Sequence, residues 1–313
     1  MAAGASVDDD RWRAQYGDLM GRIAGRFARV EPRRRAAVFV QGLMSKLPRK
    51  NCWTLAEHGG EASPAGLQHL MSRACWDHDG IRDDVRDYVV AGLGDQNAVL
   101  VVDETGDLKK GSHTVGVQRQ YTGTAGRIEN AQVAVYLTYA TDSGHAFIDR
   151  ELYLPRSWAD DPERRAAAGV PAEVEFATKP ALATTMVCRA LDAGVAARWV
   201  SGDEVYGADP GLRRELEARS VGYVLAVGSD RRVVTGAGTR CAPTRWPAPC
   251  RAAPGSSDPP GPARRDHAST TGRWSTSTQT GPGIDGCSSG ATALPQSWPT
   301  TGATRHSRCR YPR

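Results

Sequence analysis

The chain lacks a long apolar run. No segment of its 313 residues approaches the ~20 apolar residues that span a bilayer, and its opening, MAAGASVDDD, has neither a basic stretch nor an apolar one. No membrane partner is expected, and a cytoplasmic protein is the default reading. Cysteines at metal-binding spacing are missing too. The seven present (52, 75, 188, 241, 250, 287 and 309) are odd in number, scattered and never spaced C-x-x-C, which argues against a disulfide framework and a zinc site. The last 63 residues contain no lysine and no glutamate, and Ile284 and Leu294 are their only members of the Ile, Leu, Val, Met and Phe set. With 34 of those 63 being Ser, Thr, Pro or Gly, no helix or strand there can bury an apolar face, and a disordered tail is expected.

Charge is present but unevenly spread. The chain carries +5, yet residues 251–313 hold eight Arg against three Asp, so the first 250 residues sum to zero. Within them, residues 11–50 hold nine Arg and two Lys against Asp18 and Glu31, a block of +9. A basic block on a neutral body is the footprint of a phosphate-backbone partner, which makes Arg33, Arg34, Arg35, Lys46, Arg49 and Lys50 candidate DNA contacts. A solvated helix face would have the same density, so both readings stay open at this level.

Residues 1–93 read as a helical, basic region. Trp12, Tyr16, Leu19, Ile23 and Phe27 recur at steps of three and four, as do Ala36, Phe39, Val40, Leu43, Met44 and Leu47. Pro32 can open the second of these helices and Pro48 end it. Residues 53–74 then give a short helix, a Gly59-Gly60 turn and a second helix, with Ser63 as its expected N-cap and Pro64 as its first residue. That punctuation suits a helix-turn-helix reader of the major groove and a plain helical hairpin equally. Residues 94–228 alternate differently. NAVLVVD, HTVGVQRQY and AQVAVYLTYA read as strands, HAFIDRELYLP as an extension of them, and KPALATTMVCRALDAG as a helix. A short strand in RWVSGD, a helix capped by Asp209 with Pro210 first, and the strand YVLAV complete an α/β layer with a mixed sheet.

Two acids stand at strand ends. If NAVLVVD and RWVSGD are parallel neighbours, Asp103 and Asp203 both emerge at strand carboxyl ends, where open α/β sheets bind ligands. Two close carboxylates repel unless they share a proton or a cation, and hard oxygen donors suit Mg²⁺ or Mn²⁺. Two such ions about 4 Å apart can activate a hydroxyl and stabilise the leaving oxygen at phosphorus. Each Asp is equally suited to capping a turn, since DETG and GDEVYG are good turn sequences. Glu104 and Glu204 are poor substitutes, because alternation along a strand sends each away from its neighbouring Asp. Lys109 and Lys110 follow Asp103 and are placed to meet phosphate or only water.

The segments VVDETGDLKKGSHTVGVQRQYTGTAGRIENAQVAVYLTYA, IDRELYLPRSW, FATKPALA and WVSGDEVYG resemble insertion-sequence transposases of the DDE endonuclease superfamily, and residues 46–89 resemble the same family's helical segment. The resemblance spans roughly residues 10–228. It implies an RNase H-like core, with Asp103 and Asp203 as the first two catalytic, metal-holding acids. It also implies hydrolysis at transposon terminal repeats and attack of the freed 3′-hydroxyl on target DNA, in a bacterial, nucleoid-associated protein with itself or a full-length transposase as partner.

That family has a third acid, a Glu on a later helix, and here the last glutamate is Glu217, only 14 residues after Asp203. The third ligand is therefore expected to be absent and cleavage defective, leaving a non-catalytic, DNA-binding remnant or inhibitor as the alternative function. Residues 229–313 are expected to be out of frame. Reread two nucleotides into the first codon with GC-rich codon choices, residues 241–250 permit an amphipathic stretch, and the same offset permits an apolar strand in residues 267–279. An aspartyl-nucleophile phosphatase also opens on an apolar strand ending in Asp, but it wants a second Asp where this chain has Thr105.

Overall fold

The computed structural model describes residues 8–229, 231, 233–234, 240–241 and 275–279. The described residues divide into two compact units, the first running to Tyr88 and the second beginning at Val89. Among the described residues no helix is long and apolar enough to cross a membrane.

The first unit is helical: α1 (Asp9–Ile23), a single 3-10 turn (Ala24–Arg26), α2 (Val30–Met44), α3 (Cys52–His58), α4 (Ala65–Ser72) and the start of α5 (His78–Leu93). Asp8 caps α1, and Asp9 and Asp10 in its first turn oppose the positive end of the helix dipole. Tyr16 Oη donates to the Ala37 carbonyl at 2.7 Å, which fastens α1 to α2. Arg26 holds both Asp84 oxygens at 2.7 Å and so ties the turn after α1 to α5. Leu55, Ala56, Leu67 and Leu70 of α3 and α4 form the small core, with Phe27, Ala36 and Phe39 against it. Two expected boundaries differ. Helix α2 stops at Met44, before Pro48, where Ser45 Oγ donates to the Gly42 carbonyl at 2.7 Å. Helix α4 begins at Ala65 with Pro64 in the cap position and no side-chain cap, so Ser63 does not serve as one.

The second unit is a sheet with helices on it. Its strands are β1 (Val99–Leu108), β2 (Gln118–Thr122), β3 (Arg127–Thr141), β4 (Gly144–Leu152), β5 (Trp199–Gly202) and β6 (Gly222–Val227). Its helices are α6 (Arg156–Ala159), α7 (Pro162–Ala167), α8 (Lys179–Asp192), α9 (Glu204–Gly207) and α10 (Pro210–Ala218). Two further residue pairs, β7 (Val233–Val234) and β8 (Arg240–Cys241), form their own ladder, and β9 (Ser275–Gln279) joins the main sheet. The main sheet runs β2-β3-β1-β5-β6-β9, with β4 also on β3. Strands β1, β5 and β6 are parallel, and β3 is antiparallel to β1. This is the mixed-sheet α/β core expected from the alternating pattern, preceded by helices. The disorder expected of the tail falls mostly outside the described residues. Within it, Ser275–Gln279 pair antiparallel with β6.

Strict alternation in β3 explains the layering. Ala131, Val133, Val135, Leu137 and Tyr139 are buried, while the residues between them are half-exposed. The buried face meets Ala183, Met186, Val187 and Ala190 of α8, Tyr206 of α9, and Leu212 and Leu216 of α10. Thr178 caps α8, Pro180 follows in its first turn, and Gly194 ends it with a positive φ of 81°. Asp209 caps α10 ahead of Pro210 as expected. Helix α8 is also clamped electrostatically: Arg189 bonds Asp149 at 2.9 Å and Glu151 at 2.6 Å, both from β4.

Candidate catalytic site and basic residues

The parallel pairing of β1 with β5 ends at Val102↔Gly202. Asp103 and Asp203 are the next residues on each, so they hold equivalent positions on strands whose axes lie about 4.8 Å apart. The surroundings differ from the expected strand mouth in one respect. β1 does not stop at Asp103 but continues to Leu108, because β3 keeps pairing with it from Asp103↔Tyr136 through Leu108↔Ala131. What ends at Asp103 is the parallel neighbour, which leaves one flank of the extended strand open beside the aspartate.

Both acids bond a nearby backbone amide, but only Asp203 caps an element. Asp103 Oδ1 accepts from the Glu104 amide at 2.8 Å. Asp203 is the N-cap of α9, its Oδ1 accepting from the Val205 amide at 2.9 Å. Both residues are exposed. The Asp203 carboxyl is nonetheless raised above its ordinary value of 3.8. Partial desolvation is the main cause, and the negative charges of Glu104 and, less strongly, Asp103 add to it against the backbone hydrogen bonds. Ionisation of Asp203 is therefore disfavoured chiefly by desolvation, with neighbouring negative charge adding to it.

Glu104 is the residue that sequence reasoning undervalued. Alternation does send it to the opposite face from Asp103, among the buried side chains. There it accepts from Tyr206 Oη at 2.5 Å and pairs with Lys179 Nζ at 2.8 Å. Asp203 stands where β5 has already turned into α9, so strand alternation does not separate it from Glu104. Burial and the neighbouring carboxylates, Glu104 first, push the Tyr206 phenol well above its ordinary range. A signal was available: Tyr206 lies three residues after Asp203, one helical turn, and Lys179 lies in the FATKP segment.

Among the described residues, Glu217 and Glu204 lie apart from Asp103 or face solvent. Glu217 sits on α10 and accepts from Tyr223 Oη at 2.8 Å. Tyr223 pairs with Val200, toward the amino end of β5 and away from Asp203. Glu204 is exposed on α9. Among the described residues no group of three or more His, Cys, Asp or Glu is placed to hold a metal ion. Asp103 and Asp203 are two oxygen donors at equivalent strand positions, the donor type that a hard divalent cation takes.

The basic candidates separate by environment. Arg33, Arg34, Lys46, Arg49 and Lys50 are exposed, and their side chains make no hydrogen bond or ion pair among the described residues. Arg35 is different, its Nε bonding Glu61 at 3.2 Å with both side chains about a third exposed or less. In the second unit Lys109 pairs with Asp107 at 2.5 Å and Lys110 is exposed.

The chain matches the family model described as DDE superfamily endonuclease over residues 23–282, which extends past the motifs ending near residue 228. It is 30% identical over 194 residues to the probable transposase for insertion sequence element IS701 of Microchaete diplosiphon. That alignment covers 61% of this chain and 48% of the relative, so the chain spans about half the length of the curated relative it matches. A match over most of the chain, on a mixed sheet that sets two aspartates side by side, makes this protein a member of the DDE superfamily of endonucleases.

Proposed function

We propose that this chain binds the terminal repeats of an insertion sequence and supplies two of the three carboxylates its nuclease chemistry needs, so that cleavage by the chain alone is impaired. The observation that carries this reading is the Val102↔Gly202 register, which brings Asp103 and Asp203 to equivalent positions on adjacent parallel strands. DDE endonucleases use divalent metal ions. Asp103 and Asp203 would hold Mg²⁺ or Mn²⁺ here, and a bound ion would supply Lewis-acid polarisation at phosphorus and an activated hydroxyl.

The protein's own contribution is alignment. Glu104 receives the Tyr206 hydroxyl from α9 and the Lys179 ammonium from α8, and so links β1 to the two helices that flank Asp203. This linkage holds the α9 cap, and with it Asp203, at a fixed offset from Asp103. The exposed, unpaired basic side chains of the first unit supply phosphate contacts, and the target and terminal-repeat DNA are the partners. Residues 218–313 contain no glutamate, which favours the binding role over strand transfer for this chain on its own. A frame slip between Gly228 and Cys241 would account for that absence. Stop codons or a lack of apolar periodicity in the offset frame would overturn it.

The test combines a gel shift with a nicking assay on terminal-repeat DNA. Binding is expected to weaken steeply with salt, and Lys46→Ala with Arg49→Ala and Lys50→Ala should flatten the logarithmic salt slope by about 3. Arg35 is left intact because removing it would strand Glu61. Robust nicking in Mg²⁺ overturns the impairment, and binding indifferent to salt overturns the DNA-binding role.

A further inference from the structure

The first unit contains a groove of about 320 Å³ lined by Met20, Gly21, Ile23, Ala24, Phe27 and Ala37, with Arg33 and Arg34 also on its wall. Its floor is apolar. Its size falls at the lower end of small-ligand pockets, which run from about 300 Å³. The small residues Gly21 and Ala24 keep it open. A side-chain carbon added at Gly21 would meet no atom within 4 Å, so the space beside it is empty.

The two arginines are not explained by folding. Both are exposed, and neither guanidinium has a partner among the described residues. They stand near the start of α2, where the helix dipole disfavours cations, and Glu31 is the only acid in the first turn. Ala37 follows Arg33 and Arg34 by four and three residues, so all three share one face of α2. An occupant must therefore present negative charge to one wall and a compact apolar or flat group to the floor.

We infer that the groove receives a single unpaired base of DNA, with the flanking phosphates on Arg33 and Arg34. A paired duplex offers phosphate to the arginines but keeps its bases stacked away from the floor. A base turned out of the stack satisfies both walls at once, with its face against Phe27, Met20 and Ile23. This inference rests on the DNA-binding role proposed above and adds to it a preference for distorted or unpaired DNA.

The full chain is titrated with a short duplex and with the same duplex carrying one extrahelical 2-aminopurine. The bulged probe should bind about ten-fold tighter, with a change in 2-aminopurine emission on binding. Gly21→Leu fills the groove from an exposed helical position and should erase that preference while leaving the paired duplex unaffected. Ala24→Leu fills it from the next turn and guards against a misfolded first variant, with circular dichroism as the check on both. Arg33→Ala with Arg34→Ala should lower the salt slope of the bulged probe by about 2. Equal affinity for the two probes overturns the inference, as does a preference that survives both filled grooves. Displacement of either probe by an acidic helical peptide, without any preference for the bulge, assigns the groove to a protein and also overturns it. Salt-sensitive binding of both probes at equal strength sinks the groove reading alone. Salt-insensitive binding of both sinks the DNA-binding role beneath it.

Discussion

The two faces of the sheet are made from the same strands and meet different surroundings. On one, Leu100, Val102, Leu137, Tyr139, Val200 and Leu225 are closed off beneath α8, α9 and α10. On the other, Val101, Tyr136, Thr138, Trp199 and Val224 stay half-exposed, and the Phe147 ring lies tilted against Tyr136 while largely open to water. Both faces have strand-forming residues, so intrinsic preference does not distinguish them. Helical cover does. The closed face carries the packing, together with Glu104, Lys179 and Tyr206. The open face carries Asp103, which belongs to the proposed chemistry rather than to the core.

The largest expected effect tests that division directly. Leu137→Ala on the closed face should cost about 3 kcal/mol, since a fully buried Leu loses both transfer energy and packing. Val101→Ala, its counterpart on β1 facing the other way, should cost about 1 kcal/mol or less. Urea unfolding followed by tryptophan fluorescence measures both. Equal losses would mean that the open face is as well packed as the closed one.

Next comes the clamp on α8. Asp149 is only 4% exposed, while Arg189 is 27% exposed at its side chain. Arg189→Met should cost roughly 2–3 kcal/mol, because it takes the Arg189 guanidinium away from a buried carboxylate, discounted for the wetter end of the pair. Asp149→Asn made together with Arg189→Met should recover part of that loss. If the double variant is no better than the single one, packing by the arginine stem rather than its charge holds the helix.

A close backbone approach sets the third expectation. A Cβ at Gly207 would come within 1.9 Å of the Ala226 carbonyl oxygen, so α9 can lie this near β6 only with glycine there. Gly207→Ala should cost about 1–3 kcal/mol as α9 is pushed off the strand. Asp203 caps the same helix, so the displacement should also shift the Asp203 carboxyl resonance.

Legibility from sequence followed how locally each feature is encoded. The strand AQVAVYLTYA, the helix in KPALATTMVCRALDAG and the Asp209-Pro210 start of α10 are written in adjacent residues, and the structure places them as expected. The extension of β1 through Asp107 and Leu108 is not, because DETGD reads as a turn. It becomes strand only because β3 supplies ladder partners from a distant part of the chain. The reverse happened at HTVG, where the strand β2 begins only at Gln118. Gly116 there adopts a positive φ of 76° close against the Tyr153 carbonyl, a tertiary contact that a β pattern does not announce. Alternation separates Glu104 from Asp103, as expected, but says nothing of Asp203, which stands where β5 has ended and α9 begins.

The smallest effect concerns Asp203 itself, and its sign is opposite to that of an ordinary paired carboxylate. Partial desolvation and the charges of Glu104 and Asp103 raise its folded pKa above 3.8, so ionising it works against the folded state. Its contribution to stability is fully present below the unfolded value and is lost as pH rises through the raised one. Asp203→Asn retains a capping oxygen for α9 but cannot ionise. The variant should therefore match the parent near pH 3 and melt slightly higher at neutral pH, in keeping with functional acids that are held against the interest of the fold. Glu104→Gln should move the Asp203 titration midpoint downward, because the larger of the two neighbouring negative charges is gone. Melting temperatures across pH and carboxyl chemical shifts read these two outcomes separately. A variant that melts lower than the parent at neutral pH would place Asp203 among stabilising caps and leave Asp103 without its electrostatic neighbour.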